Sequence, residues 1–162
     1  MKRKHTIILA TMAMVILFGA GFAFSQEKAS DNMQIVIEKV RADKKLLVAE
    51  NMQLTEPEAK AFWPVYKAYQ DELFLLRSRA ATLIKSYSDS YEAMTNERAK
   101  KLMDEYMTIE SSGSKLRQSY VPKFRKVLPE VKVVRYYQIE NKIQAALMYE
   151  LASQIPLIKL SK

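Results

Sequence analysis

The chain has 162 residues, with 26 Lys or Arg against 18 Asp or Glu, one His, three Gly and no Cys. The lack of cysteine excludes disulfides, thiol redox chemistry and lipid attachment at a lipobox cysteine. So few glycines argue against a sandwich, a barrel or a doubly wound sheet, whose corners use glycine's conformational freedom.

Residues 1–25 read as a secretory signal peptide. Lys2, Arg3 and Lys4 open it, an apolar run from Ile7 to Phe18 follows, and Ala23-Phe24-Ser25 offers a cleavage site before Gln26. The expected product is a periplasmic protein with a single all-helical domain over residues 26–162. The alternative is an uncleaved anchor, because Ile7 to Phe24 approaches the roughly 18 residues needed to span a bilayer. Cleavage is favoured by the small residues Ala23 and Ser25. Processing removes three cations, so the formal charge of +8 overstates that of the mature chain. The remaining excess favours acidic proteins and proximity to an anionic membrane surface. His5, Gly19 and Gly21 also leave with the signal, so Gly113 is the one glycine left and no histidine remains.

Four helical segments follow, which predicts an all-α fold of long antiparallel helices with a bent hairpin arrangement. The first opens at Ser30-Asp31, where Asp31 and Gln34 form a capping-box pattern. Met33, Ile37, Val40 and Leu47 give it a sparse apolar stripe, and Lys39, Arg41, Lys44 and Lys45 make it basic. The second opens at Leu54-Thr55-Glu56-Pro57-Glu58, with Thr55 as N-cap, Glu58 completing the box and Pro57 in the first turn. Phe62, Tyr66, Tyr69, Leu73, Leu76, Ala80, Leu83 and Tyr87 then alternate in steps of four and three, the pattern of a long helix beside another long helix. Pro64 falls inside it and is expected to bend it.

Ser88-Asp89-Ser90 and Met94-Thr95 mark a turn. The third segment starts from Thr95 and carries Ala99, Leu102, Tyr106, Ile109, Gly113, Leu116, Tyr120, Phe124 and Val127. Ser111-Ser112-Gly113-Ser114 and Pro122 interrupt it. A bent helix is favoured over a full break, because the stripe keeps its phase across the patch. The fourth opens at Leu128-Pro129 and runs through Val133, Tyr136, Tyr137, Ile139, Ile143, Ala146, Leu147, Leu151 and Ile155. Its apolar residues cover more than one face, as in a helix that is central in its fold or shared with a second subunit.

Catalysis finds little support. With His and Cys gone the usual bases and nucleophiles are missing. The adjacent pairs Asp71-Glu72 and Asp104-Glu105 point about 100° apart on a helix and do not converge. There is no phosphate-binding glycine loop. No metal or other cofactor is expected. Met103 and Met107 share a helical face, but such pairs are far more often packing material than Cu(I) ligands.

The residues singled out for binding are basic and aromatic. Lys115, Arg117, Lys123, Arg125, Lys126, Lys132 and Arg135 span the end of segment three and the start of four, countered only by Glu130 and interleaved with Tyr120, Phe124, Tyr136 and Tyr137. An export signal argues against nucleic acid as the partner. The tract is an ordinary solvated surface, or it steers acidic proteins or anionic lipid toward apolar surface. Trp63, the one tryptophan, points about 100° away from Phe62. It belongs either to a core edge or to exposed contact surface.

The Leu54-Thr55-x-x-Glu58 helix start, behind a signal peptide and in a cysteine-free helical chain, resembles the Leu-Thr-x-x-Gln motif of the periplasmic CpxP/Spy-like (LTXXQ) group. Glu58 stands in place of the glutamine. Met94-Thr95-Asn96-Glu97-Arg98 echoes the same form, and Leu128-Pro129-Glu130-Val131-Lys132 occupies the place of a further copy while departing at both polar positions. The strings at 62–66 and 135–142 mark a distinct exported subgroup, to which the resemblance attaches no activity. The resemblance implies a bent-helix hairpin, often a cradle-shaped antiparallel homodimer, with ATP-independent chaperoning or envelope-stress sensing as its role. The group's zinc-responsive branch uses histidines, which residues 26–162 lack.

Two functions are therefore expected from different classes. One is a chaperone-like binder of unfolded or acidic proteins, with Trp63, Lys115, Arg117, Tyr120, Lys123, Phe124, Arg125, Lys126 and Arg135 as contact and steering residues. The other is a structural or regulatory partner of a membrane sensor or envelope complex, docking through segment four.

Overall fold

A computed structural model describes residues 26–159, with side chains from residue 39 onward. The signal peptide expected over residues 1–25 lies outside the described residues. Among these, the chain is all-helical, with four long helices and no strand: α1 Gln26–Met52, α2 Glu56–Ser90, α3 Asn96–Arg125 and α4 Glu130–Gln154. A single 3-10 turn, Tyr91–Ala93, joins α2 to α3. No described helix is long and apolar enough to cross a membrane.

The helix starts follow their capping chemistry. Thr55 is the N-cap of α2, and the Glu58 carboxylate accepts its backbone N–H at 2.8 Å. Pro57 sits in the first turn, where no N–H is needed. Thr95 caps α3, its hydroxyl accepting from the Arg98 N–H at 3.2 Å. The Pro129 carbonyl accepts the first N–H groups of α4, from Lys132 and Val133. The start of α1 differs from expectation. The helix runs straight through Ser30 and Asp31, because the preceding Gln26-Glu27-Lys28-Ala29 are strong helix formers that override the capping pattern. At its other end Gln53 turns left-handed, with φ 48°, the conformation that stops helices at the residue after the cap.

Internal breakers do not break. α2 is continuous through Pro64 and α3 through Pro122 and Ser111-Ser112-Gly113-Ser114. Gly113 is helical, and a methyl group there would meet nothing within 4 Å.

The contacts group into two compact units: residues 54–134 with 156–159, and residues 26–53 with 135–155. In the first, Phe62, Tyr66 and Tyr69 of α2 are buried with Ile109, Leu116, Tyr120 and Phe124 of α3 and with Leu128 and Val133. Ring centroids lie 5.6 Å apart for Phe62 and Phe124 and 5.1 Å for Tyr69 and Tyr120. Pairs of this kind each add about 0.5–1.5 kcal/mol beyond the area they bury. Contacts ascend on α2 as they descend on α3, from Phe62–Phe124 through Glu72–Tyr120 to Arg79–Glu105. Farther on, the Tyr87 hydroxyl donates to the Pro156 carbonyl at 2.6 Å, and Lys159 pairs with Glu92 at 2.8 Å.

In the second unit Val48, Met52 and Tyr136 are buried. Lys44 and Glu140 are buried with them and paired at 2.8 Å. The inward face of α1 is therefore Lys44, Val48 and Met52, while Val40 and Leu47 are half-buried. Lys44 is no part of a basic surface. Arg135 donates from Nε to the Asn51 carbonyl, placing a cation at the C-terminal end of α1, where the helix dipole favours it.

Candidate binding surface

The basic and aromatic residues expected to form one surface separate in the structure. Tyr120 and Phe124 are 2% and 0% exposed. They belong to the aromatic core between α2 and α3 and touch no solvent-borne partner. The reason is register: both fall on the same stripe as Ile109 and Leu116, three or four residues apart. Tyr120 also donates its hydroxyl to Glu72 of α2. Burial, reinforced by that carboxylate, pushes the phenol up to about 12. Trp63 is half-buried, edge-on to Phe62 at 5.0 Å and to Tyr66 at 5.3 Å. It covers the edge of the core.

Several cations are occupied with holding the fold. Arg125 grips Glu130 with two hydrogen bonds, of 2.9 and 2.7 Å, across the α3–α4 turn. The pairing holds the Glu130 carboxyl below its usual value and raises the guanidinium. Lys132 donates to Glu58, and this hydrogen bond, joined by the Thr55 N–H, holds the Glu58 carboxyl low. Glu58 thus caps α2 and anchors the start of α4, a second task that a neutral glutamine would perform without the ion pair. Lys123 lies 3.7 Å over the Tyr120 ring, and Arg135 is spent on α1. Arg117 is exposed on α3. Lys115 and Lys126 are exposed and make no ion pair among the described residues.

Exposed apolar side chains lie elsewhere. On α3, Met103, Tyr106 and Met107 are 58%, 49% and 57% exposed. They fall three and four residues apart, on one face within about one turn. The spacing of Met103 and Met107 was visible as a shared face; its exposure was not. Tyr106 was expected in the core stripe and lies half out of it. On α4, Val131 and Val134 are likewise exposed.

The other flank of α3 forms a long groove with α2. One stretch is lined by Ser78, Thr82, Leu83, Arg98 and Leu102, the next by Leu75, Leu76, Ser112, Lys115 and Leu116. Arg79, at the junction, pairs with Glu105 at 2.9 Å. Nothing in the stripe pattern marks this groove, because its floor is made by the edges of the core residues themselves.

Among the described residues no group of three His, Cys, Asp or Glu is placed to hold a metal ion. No buried polar side-chain atom there lacks a partner. Comparison with protein families, curated proteins and solved structures finds no match for this chain.

Proposed function

We propose that the protein is an exported, ATP-independent chaperone-like or envelope-stress binding protein, built on a bent antiparallel helical hairpin and working in the periplasm, as a homodimer. The single observation behind this reading is the exposed Met103, Tyr106 and Met107 face of α3. Methionine is flexible and polarisable and adapts to many apolar shapes, which suits a surface that takes varied clients. Net positive charge, to which Lys115, Arg117, Lys123 and Lys126 contribute, speeds encounter with acidic or unfolded chains. Apolar contact then holds them, and no nucleotide is consumed. Light scattering from a chemically denatured, acidic test protein checks this. Equimolar protein is expected to suppress aggregation, with capture slowing as salt rises. Unchanged aggregation at every ratio refutes it.

A second reading, docking on a membrane sensor or envelope complex, is favoured by Val131 and Val134. These are 80% and 50% exposed and one turn apart. It predicts a single crosslinked partner that is lost on Val131→Glu, with aggregation of unrelated proteins unaffected.

A further inference from the structure

We infer that the α2–α3 groove is a docking site for an acidic amphipathic helix of a partner protein, a surface separate from the Met103 and Met107 face. The residues lining it run from Glu72 to Ser86 on α2. At 1.5 Å per residue that is about 21 Å, the length of roughly four helical turns. Its floor is apolar and aliphatic: Leu76, Leu83 and Leu102 are half-buried, and Leu116 lies at the buried limit. An apolar stripe laid between two long helices is the geometry by which a third helix is recognised.

The rim selects the sign of the partner. Arg98 borders one stretch and Lys115 the other. Neither makes an ion pair among the described residues, and both are exposed. Across the lining, Arg79, Arg98, Lys101 and Lys115 outnumber Glu72 and Glu105; Glu105 is neutralised by Arg79, while Glu72, bonded to the neutral Tyr120 phenol, keeps its charge. The lining therefore carries a net excess of positive charge above an aliphatic floor. Carboxylates spaced along one flank of a leucine-bearing helix complement it, while a basic helix meets like charge. Partner specificity of this kind goes beyond holding unfolded clients.

The test uses the full exported chain and two dye-labelled amphipathic peptides of about 15 residues, enough for four turns. One carries Leu and Glu, the other Leu and Lys. Fluorescence anisotropy is expected to show binding of the Leu/Glu peptide alone, weakening as salt is raised to about 0.5 M. Arg98→Glu with Lys115→Glu is expected to weaken it by about tenfold or more. Ser78→Tyr, an exposed position in the groove, is expected to block it sterically. Circular dichroism of each variant confirms that the helices persist. Binding of both peptides alike, no binding, or binding unmoved by the charge reversals overturns the proposal. So does self-association of the chain that the same reversals abolish, which would make a second copy the occupant. Aggregation suppression is measured on the same variants. If wild type suppresses aggregation but binds neither peptide, the groove assignment falls and the client-holding reading stands.

Discussion

At the scale of single residues, the structure holds one unused reserve of stability and one alkaline weakness. Gly113 sits in the middle of α3 with open space where a Cβ would go. Gly113→Ala is expected to stabilise the protein by about 0.5–1 kcal/mol, by removing the entropy that a helical glycine loses on folding. A urea midpoint shifted upward at unchanged slope would show it. Tyr120 is the alkaline weakness. Its folded phenol titrates near 12 against an ordinary value of 10. Folding thus favours the neutral form, so the contribution is whole below pH 10 and is lost as pH rises through about 12. Absorbance of tyrosinate should reveal one late-titrating group that disappears in Tyr120→Phe. That variant should also cost about 1 kcal/mol at neutral pH through the lost bond to Glu72.

At the scale of elements, the instructive pair is α1 against the 135–155 stretch of α4. Lys44 and Glu140 are buried side by side at 2.8 Å, in the same unit as the buried Val48, Met52 and Tyr136. Removing one partner takes the counter-charge of this pair from a buried ion, so Lys44→Met is expected to destabilise by about 3–5 kcal/mol. The double substitution Lys44→Met with Glu140→Leu should recover most of that, because two apolar side chains replace two desolvated ions. Thermal melts of the two single variants and the double one measure the coupling directly. If the double variant were as weak as the singles added together, the ion pair would not be the cause.

The same elements show what could be read in the amino-acid order. Helix starts at Thr55, Thr95 and Pro129 were legible because caps are local chemistry. So was the stripe of Phe62, Tyr66, Tyr69, Ile109, Leu116, Tyr120 and Phe124, because burial follows helical period. The burial of Lys44 was not legible, since a charge counts as polar until its partner, 96 residues away, is known. Tyr120 and Phe124 were assigned to contact for the opposite reason. Interleaving with cations along the chain does not amount to proximity on a surface, because a helix separates neighbours in sequence by about 100°. Glu130, five residues from Arg125, lay within the tract itself, but the diversion of Lys132 to Glu58 and of Arg135 to Asn51 depends on tertiary partners that no spacing rule supplies.

At the scale of the whole molecule, the proposed function pairs an expected export signal with the exposed apolar face of α3. The proposed export predicts a periplasmic product starting at Gln26, measured as intact mass after cell fractionation; a chain retaining residues 1–25 in the membrane would instead identify the anchored form. The central claim, that exposed apolar side chains on α3 hold clients without nucleotide, has a more pointed test. Aggregation of a denatured acidic protein is followed by light scattering with wild type and with Met103→Asp/Met107→Asp. Both positions are exposed and leave the core untouched. Suppression by wild type in the absence of ATP, and its loss in the double variant with helicity intact, is the predicted result. Equal suppression by both proteins, or none by wild type, would contradict it.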